Sequence, residues 1–276
     1  MKIAVLYIGL GRYTVFWEGF YKSCEQFFLP KHEKTYFVFT DNESLMFEKE
    51  SNVVKIHQEN LKFPYATLLR FEMFSRIRTQ LKEFDYIFFL NGNMEFVDFV
   101  NEECLPTKEN DGLVAGLLLA RRFFNNPDRL PYERNPLSNA YIPYGKGTHY
   151  LQGGLNGGMA DEYLEMIDKL NVAIKEDLAN GIIAVVNDES HLNKYLLDKN
   201  PLILEPNYMY SDQAFMEEYK KNKKIVVLNK QEPKWGGMDY LRGKRDKPIV
   251  GFEAFICSII LFFKKQYRVY VNKFLY

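Results

Sequence analysis

Short apolar runs, each cut off by glycine or by small polar residues, do most to constrain the fold of this chain. The clearest runs cover 3–8, 36–39 and 86–90, and apolar residues at helical spacing fill 13–29 and 66–80 between them. Strands that alternate with helices are typical of a sheet of parallel strands covered on both faces. The pattern therefore predicts an α/β fold, with one large domain over most of the 276 residues.

Polar segments follow these predicted strands at the points where the strands end. They cover 9–13, 40–42 and 91–93. In open α/β sheets, ligands bind beyond the carboxyl ends of the strands. We therefore expect the functional site at this edge, together with the long irregular stretch 121–158, since loops of that length in a compact domain are usually functional.

Charge and cysteine content exclude some classes of function. Lys and Arg together number 36, as do Asp and Glu, so no overall positive field attracts nucleic acid. The cysteines, Cys24, Cys104 and Cys257, have no metal-ligand spacing and favour a reducing compartment without disulfides. The aromatic content of 16% fits either sugar stacking or a well-packed core.

The turn after the first predicted strand matches a dinucleotide-binding motif only in part. Gly9 and Gly11 fit it, but Thr14 stands where the third glycine would allow close packing of helix on strand. A nicotinamide site is therefore disfavoured. Another kind of nucleotide site and a plain strand-to-helix turn both remain open.

The turn after the strand at 86–90 reads Asn91-Gly92-Asn93. Two carboxylates at this spacing would hold a divalent cation on a diphosphate, whereas neutral amides cannot offset a metal's charge. Amides can instead donate hydrogen bonds to phosphate or ribose oxygens. A simple tight turn is the alternative, because Asn-Gly favours one.

Two further segments carry candidate chemistry. The four glycines within 153–158 would let backbone approach a ligand closely, or would form a flexible loop. Asp188, Glu189 and His191 follow a predicted strand at 182–186 and precede a helix. They form a candidate acid/base or nucleophile cluster, although acidic residues also suit the first turn of any helix.

Taken together, these motifs resemble glycosyltransferase family 6, which includes the histo-blood-group A and B transferases and the α-1,3-galactosyltransferase. The resemblance spans roughly 5–230. It is carried by Tyr-Glu-Arg at 132–134, Ala-Tyr-Ile-Pro at 140–143, the paired glycines at 153–158, and Asp-Glu-Ser-His-Leu-Asn-Lys-Tyr at 188–195. It implies a single catalytic domain of the GT-A fold over 1–246, with a short aromatic and basic tail at 247–276.

The resemblance also implies the reaction, a retaining transfer of galactose or N-acetylgalactosamine from its UDP conjugate to O3 of a β-galactoside. Glu189 matches the family's candidate catalytic nucleophile, which also contacts the acceptor, and Asp188 matches a residue that holds the donor sugar. The other residues that we assign to donor binding are Ile8, Gly9, Tyr13, Arg70, Asn91, Asn93, Gly153, Gly154, Lys230 and Arg242.

Gly154 matches the family position that discriminates between donors. A side chain there would crowd the acetamido group, whereas glycine leaves room for it. The sequence therefore predicts N-acetylgalactosamine as the sugar, with UDP-galactose as the alternative donor.

The chain departs from animal members of the family where they carry Asp-x-Asp for Mn²⁺, since it has Asn91 and Asn93. Bacterial members with Asn-x-Asn are described as metal-independent, so we expect no cofactor, with Mn²⁺ as the alternative. Leaving-group charge must then be met by cations of the protein. Lys230 and Arg242 are the candidates, in a basic segment that would otherwise be a solvated tail.

The acceptor is constrained less than the donor. Val186-Asn187 stands where blood-group enzymes have Trp-His, and Asp212 matches an acceptor contact only with one inserted residue. Fucosyl-α-1,2-galactose, the H-type determinant, is the expected acceptor by analogy with the family. A catalytically silent glycan-binding protein on the same fold is a further alternative, although binding alone has no need of the Asp188–Glu189 pair.

The tail at 247–276 is apolar over 254–263 and then basic and aromatic. The apolar run is shorter than the roughly 20 residues of a spanning helix. Two alternatives remain: a helix that lies in the plane of a membrane, and one that packs on its own domain or on a second copy. The sequence shows no Golgi anchor, so we expect a bacterial enzyme in the cytoplasm, peripheral on the inner face of the membrane.

Overall fold

A computed structural model describes residues 1–118, 126–211 and 217–274 of the chain. Its strands are β1 (Lys2–Ile8), β2 (Glu33–Thr40), β3 (Val53–His57), β4 (Tyr86–Leu90), β5 (Met94–Phe96), β6 (Leu113–Leu117), β7 (Leu151–Met159), β8 (Leu202–Leu204) and β9 (Ile225–Val227). Its α-helices are α1 (Trp17–Phe27), α2 (Tyr65–Leu68), α3 (Arg70–Ser75), α4 (Arg78–Leu81), α5 (Ala160–Ala179), α6 (Asp188–Leu196), α7 (Glu217–Lys220), α8 (Met238–Leu241) and α9 (Gly251–Phe274).

Seven strands form the central sheet in the order β3-β2-β1-β4-β7-β6-β8. Strands β3, β2, β1 and β4 are parallel, as are β6 and β8, whereas β7 pairs antiparallel with both β4 and β6. The α/β prediction is confirmed, and the sheet is mostly parallel, with β7 antiparallel to its two neighbours. Because β7 runs the other way, its first residues lie at the edge where β4 ends.

The glycine-rich stretch belongs to β7 and is not a flexible loop. A Cβ atom on Gly157 would lie 2.7 Å from the carbonyl oxygen of Ile87, and one on Gly158 would lie 2.5 Å from that of Gly112. These glycines therefore let neighbouring backbone approach β7 more closely than any other residue would allow.

Two local predictions are wrong in detail. The helix expected over 66–80 is divided into α2, α3 and α4. The strand expected at 182–186 does not form, and the segment is a turn that leaves Ile183 and Val185 exposed. The turn ends at Asn187, whose φ of +51° and ψ of −129° redirect the chain into α6.

The core consists of two apolar layers, one on each face of the sheet. Along β4, Phe88 packs with one layer, which includes Trp17 and Phe20 of α1, while Ile87 and Phe89 pack with the other. Many of the aromatic side chains lie in these layers, such as Phe28, which meets Phe88 edge to face with ring centroids 5.2 Å apart. Aromatic content thus serves the core, which was one of the two uses expected of it.

The tail forms the single helix α9. Within the described parts of the chain, no helix is both long enough and apolar enough to span a bilayer.

Candidate active site

The candidate site lies at the carboxyl edge of β4, where β7 begins. The backbone N–H of Asn91 donates to the carbonyl of Gly154 over 2.8 Å, so the end of β4 and the start of β7 are joined directly. Asn91 and Gly154 are therefore neighbours in space, as are the residues around them.

Helix α6 brings Asp188 and Glu189 to the same edge, in its first turn. Ser190 stabilises the turn before it, because its hydroxyl accepts a hydrogen bond from the N–H of Val186 over 3.0 Å. Asp188 is only 1% exposed. A carboxylate this deeply buried needs a compensating charge.

Arg70, the first residue of α3, supplies that charge. Its Nε lies 2.9 Å from Oδ2 of Asp188, and both side chains are almost fully buried. Nη1 of Arg70 also donates to the carbonyl of Gly153 over 2.6 Å. The guanidinium thus joins α3, β7 and α6 at one point, and its carbon lies 4.4 Å from the centre of the Phe89 ring.

Glu189 is held by the other backbone group of the same glycine. The N–H of Gly153 donates to Oε2 of Glu189 over 2.6 Å. A Cβ atom at Gly153 would lie 3.2 Å from Cβ of Glu189 and 3.4 Å from Oδ2 of Asp188. Gly153 therefore holds the two acids through its backbone, at a distance that leaves little room for a side chain.

Burial sets the protonation of both acids. Loss of solvent raises the pKa of Asp188 to about 7 and outweighs the opposing effect of Arg70. Burial also raises the pKa of Glu189, against the hydrogen bond from Gly153 and the nearby Tyr150 hydroxyl. A carboxylate with a raised pKa is a better base and nucleophile once it is ionised.

Asn193 is a site residue that the sequence did not indicate. Its side-chain amide exchanges hydrogen bonds of 2.9 and 2.8 Å with the backbone of Leu151 and also donates to the carbonyl of Glu189 over 2.8 Å. It therefore fixes α6 against the start of β7. The only available signal was its position four residues after Glu189, one helical turn away.

A second buried polar cluster supports α6 from behind. Oδ2 of Asp177 accepts from the Ser138 hydroxyl over 2.5 Å and lies 3.5 Å from Nε2 of His191. Oε2 of Glu133 accepts from the N–H of Val185 over 2.6 Å. His191, predicted as part of the acid cluster, thus faces away from Glu189 toward Asp177 and has a structural contact there.

Lys230 lies beside Tyr13 on the side of the site where positive charge gathers. Nζ of Lys230 lies 5.7 Å from the centre of the Tyr13 ring. Within the described ranges, Lys230 has no carboxylate partner at ion-pair distance. Burial lowers its pKa, and the positive charges of Arg242 and Arg70 lower it further. Three cations that repel one another favour an anionic ligand between them.

Asn93 holds the segment that carries Lys230. Its Nδ2 donates to the carbonyl of Leu228 over 2.8 Å, and the N–H of Leu228 donates back to the Asn93 carbonyl over 2.8 Å. The side chain is only 4% exposed. Its amide nitrogen therefore faces a backbone acceptor, and Asn91 and Asn93 together offer no negative charge to a metal.

No metal-binding group is formed elsewhere in the parts of the chain that the structure describes, where at most two His, Cys, Asp or Glu side chains meet in a suitable way. Neutral amides suit a Mn²⁺ ion poorly, since hard divalent cations prefer carboxylate oxygens.

The turn after β1 is closed by hydrogen bonds to β2 and to the segment that follows it. The N–H of Gly9 donates to the Phe39 carbonyl over 2.9 Å, and the N–H of Gly11 donates to Oδ1 of Asp41 over 2.6 Å. Ile8 and Gly9 thus end β1 at the edge where Tyr13 also lies, in the 3₁₀ turn Gly11–Phe16.

Arg12 fastens the C-terminal part of the domain to this turn. Its guanidinium donates to the carbonyls of Tyr240 and Arg245 over 2.8 and 2.6 Å, and its carbon lies 4.0 Å from the centre of the Tyr240 ring. Arg242, in the same segment, is exposed and lies over the Phe63 ring at 4.9 Å. The predicted basic segment is therefore folded back onto the site.

Two predicted site residues remain, Gly154 and Asp212. Gly154 faces Asn91 and Met209, since a Cβ there would lie 3.1 Å from Nδ2 of Asn91 and 3.1 Å from Cε of Met209. Asp212 lies outside the described residues.

Proteins with similar sequences identify the family of this chain. The family profile described as "Glycosyltransferase family 6" matches residues 1–235. The chain is 34% identical to "O-antigen biosynthesis glycosyltransferase WbnI" of Escherichia coli, over 86% of this chain and 98% of that protein. It is 32% identical to "Histo-blood group ABO system transferase 2" of Rattus norvegicus, over 76% of this chain and 64% of that protein.

A third relative is "Globoside alpha-1,3-N-acetylgalactosaminyltransferase 1" of Gallus gallus, at 29% identity over 77% of this chain. The alignment covers 63% of that protein, so this chain matches somewhat under two thirds of the length of these two animal relatives.

Proposed function

Because the chain belongs to glycosyltransferase family 6, and is thus a hexosyltransferase with a nucleotide-sugar donor and a glycan acceptor, we propose that it transfers N-acetylgalactosamine from UDP-N-acetylgalactosamine. The sugar goes to O3 of a β-galactoside, with retention of the α configuration and without a metal ion. The observation that carries the proposal is the position of Glu189, held by Gly153 beside Asp188 and Arg70 at the carboxyl edge of the sheet.

Glu189 acts on the anomeric carbon. The bond from that carbon to the β-phosphate oxygen breaks, and its electron pair leaves with UDP. In a double displacement, the Glu189 carboxylate first bonds to the carbon and is then displaced by O3 of the acceptor, whose proton passes to the diphosphate of UDP. In a front-face transfer, the carboxylate stabilises the positive charge on the sugar while O3 attacks, and the acceptor proton passes to the departing diphosphate. Both routes require ionised Glu189.

Asp188 orients the donor sugar, in this proposal, by accepting hydrogen bonds from its hydroxyls. Arg70 keeps the carboxylate in one orientation and offsets its charge over 2.9 Å. Burial of both groups strengthens such hydrogen bonds, because water does not compete for the carboxylate.

Gly154 and Asn91 determine the donor in this proposal. Gly154 leaves open the space in front of Asn91 and Met209, which an acetamido group would need. The α-1,3 linkage and the N-acetylgalactosaminyl group are supported by the name of the globoside relative. UDP-galactose is the competing donor, and a direct competition between the two donors decides between them.

Lys230 and Arg242 take over the charge neutralisation that a metal would supply. Lys230 is half-buried and has no carboxylate partner within the described residues, so its ammonium group is available for the diphosphate oxygens. Asn93 keeps the Lys230 segment in place through Leu228. A fixed cation near the leaving group stabilises the charge that develops as UDP departs.

Fucosyl-α-1,2-galactose is the proposed acceptor, supported by the similarity to the blood-group transferase. The exposed side chains of Ile183 and Val185 lie on the turn before α6. The acceptor pocket in this proposal differs from that of the blood-group enzymes, because Val186 stands where they have a tryptophan.

The test is a reaction of the purified protein with UDP-N-acetylgalactosamine and 2′-fucosyllactose in excess EDTA, with the product identified by NMR. An α-1,3-linked tetrasaccharide supports donor, stereochemistry and metal independence together. Activity that appears only with Mn²⁺ would contradict metal independence, and faster transfer from UDP-galactose would replace the proposed donor. Binding of glycan without turnover of either donor would favour the silent glycan-binding protein.

A further inference from the structure

Helix α9 exposes an apolar face that nothing in the described chain covers. The side chains that form it recur every three or four residues and are 40–78% exposed: Phe252, Phe255, Ile256, Ile260, Phe263 and Tyr267. This spacing places them on one side of an α-helix. Six large apolar side chains in one exposed row are unusual for a free surface.

The opposite side of α9 rests on the domain. Ala254, Cys257 and Leu261 are half-buried there, and Sγ of Cys257 lies 3.8 Å from the carbonyl oxygen of Gln231. The helix is therefore attached through its back, so that the apolar face points outward. The helix thus packs on its own domain, which is one of the alternatives from the sequence, but its most apolar side is left uncovered by the described residues.

The charges of the tail indicate which kind of surface would complement α9. Residues 251–276 contain four basic residues, Lys264, Lys265, Arg268 and Lys273, and one acidic residue, Glu253. Glu253 is paired with Arg245, whose Nη2 lies 2.6 Å from Oε2. The tail thus combines an exposed apolar face with an excess of positive charge in its sequence, and anionic lipid headgroups complement both.

A second copy of the chain fits less well. Two α9 helices packed face to face in parallel would bring their basic C-terminal halves together, and like charges repel one another. The row also contains Phe and Tyr at four of its six positions, whereas helix dimers use aliphatic side chains that fit as knobs into holes. Aromatic side chains instead suit the interface between water and lipid.

We propose that α9 binds a negatively charged lipid surface, lying in the plane of the membrane with its apolar face inserted between the headgroups. A single row of this kind holds the protein reversibly, and the lysines add attraction that weakens with salt.

The attachment of α9 places the membrane close to the active site. The helix contacts 229–235, and a cavity of about 360 Å³ between them is lined by Lys234, Leu261 and Phe262, among others. The same segment carries Lys230. If the proposed transferase function holds, a membrane-bound α9 brings the site near acceptors that are themselves anchored in lipid.

The test is sedimentation of the full chain with vesicles of phosphatidylcholine alone or mixed with phosphatidylglycerol. We expect binding to the anionic vesicles, weakened at high salt, and little binding to the neutral ones. Phe263→Glu should reduce the fraction bound by at least about tenfold, since it removes a ring that would insert into the lipid and adds a negative charge. Val172→Glu is the matched control, because Val172 is 56% exposed on α5, away from this face, and should bind like the unaltered protein.

Several results would overturn the proposal. They are failure to bind anionic vesicles, equal loss of binding in both variants, and a dimer in analytical ultracentrifugation that Phe263→Glu alone abolishes. Transfer to a soluble acceptor is measured on the same samples. Activity without vesicle binding would refute the lipid proposal alone, whereas vesicle binding without activity would count against the transferase function alone.

Discussion

Arg70 and Glu189 share one residue, Gly153, as their common backbone partner: the glycine carbonyl accepts from Arg70 and its N–H donates to Glu189. The guanidinium and the carboxylate are therefore positioned by the same peptide segment of β7. Since Arg70 also pairs with Asp188, a displacement of β7 at this point would move all three charged groups together.

Glu189→Gln should abolish transfer without unfolding the protein. The amide oxygen of Gln can still accept from Gly153, so we expect a change of less than about 1 kcal/mol in the free energy of unfolding. The rate should fall by about 10³-fold or more, because a neutral amide neither attacks nor stabilises the sugar cation. Glu165→Gln, an exposed change on α5, is the control. Retention of a tenth or more of the rate in Glu189→Gln would exclude a catalytic role.

Asp188 should make the protein less stable as the pH rises from about 4 to about 7. Its pKa is raised from 3.8 to about 7 by burial, so the folded state holds the proton more tightly than the unfolded chain. The resulting stabilisation is complete below pH 3.8, the pKa in the unfolded chain, and is lost as the pH rises through about 7, the pKa in the folded protein. At about 1.4 kcal/mol per pH unit, it reaches at most about 4 kcal/mol.

The measurement is the difference in Tm between the unaltered protein and Asp188→Asn, at several pH values in this range. The Tm of the unaltered protein should fall relative to that of the variant as the pH rises. Asp168→Asn controls for loss of a surface carboxylate, since Asp168 is 44% exposed in its pair with Arg78. A difference that is constant with pH, or that grows in favour of the unaltered protein, would show that burial does not dominate at Asp188.

Lys230→Gln should weaken donor binding. If Lys230 contacts the diphosphate as proposed, removal of its half-buried ammonium group should raise KM for the nucleotide sugar by about 10- to 100-fold and lower kcat, because the charge would also stabilise the departing nucleotide. Lys234→Gln is the matched control on the same segment, where Lys234 is exposed and paired with Glu232 over 3.0 Å. Equal kinetic effects of the two substitutions would reject a specific role for Lys230.

Asn93→Asp should destabilise the protein rather than create a metal site. The carboxylate would set an acceptor against the Leu228 carbonyl in place of the donor that is there now. The lost hydrogen bond and the repulsion should cost about 1–3 kcal/mol in unfolding free energy, measured with urea. Asn91→Asp is the control, because the structure gives its side-chain amide no such backbone partner. Equal stability of the two variants, or a gain in Mn²⁺ affinity by Asn93→Asp without loss of stability, would contradict this reading of Asn93.

Gly154→Ala should shift donor preference toward galactose. The new methyl group would lie 3.1 Å from the ends of the flexible Asn91 and Met209 side chains, so the fold can adjust while space for an acetamido group is lost. We expect the ratio of kcat/KM for UDP-N-acetylgalactosamine over UDP-galactose to fall by about tenfold or more. Gly153→Ala, which crowds Glu189, should instead lower both rates alike. An unchanged donor ratio in Gly154→Ala would remove Gly154 from donor selection.

The sequence predicted those strands that are made of buried apolar side chains. In β1, β2 and β4, apolar residues fill both faces of a covered sheet, and the run of apolar residues reports that burial directly. In β7, glycines give no such signal, because the strand is held by its neighbours β4 and β6 rather than by its own side chains.

In the segment 182–186, by contrast, the sequence predicts a strand that does not form. Its Ile and Val residues favour a strand, yet they form a turn in which the N–H of Val185 bonds to Glu133. No strand among the described residues pairs with them, so local preference is overridden by a distant side chain.

Only part of the candidate site could likewise be predicted from local sequence. Asp188 and Glu189 are adjacent in the sequence, at a helix start that the sequence indicated, so their proximity followed from local pattern. Arg70, Gly153 and Asn193 meet them only through the order of strands in the sheet. Periodicity and motif spacing carry no information on that order, and the roles of Arg70 and Gly153 came from the family resemblance instead.

The bonds from Arg12 to Tyr240 and Arg245 also bear on how the protein is made. The guanidinium is synthesised 228 residues ahead of Tyr240 and 233 residues ahead of Arg245. The sheet can assemble during synthesis, since domains form as units while the chain emerges. The bonds from Arg12, however, cannot form until Tyr240 and Arg245 have left the ribosome, so a nascent chain can build its sheet before this side of the proposed donor site is closed.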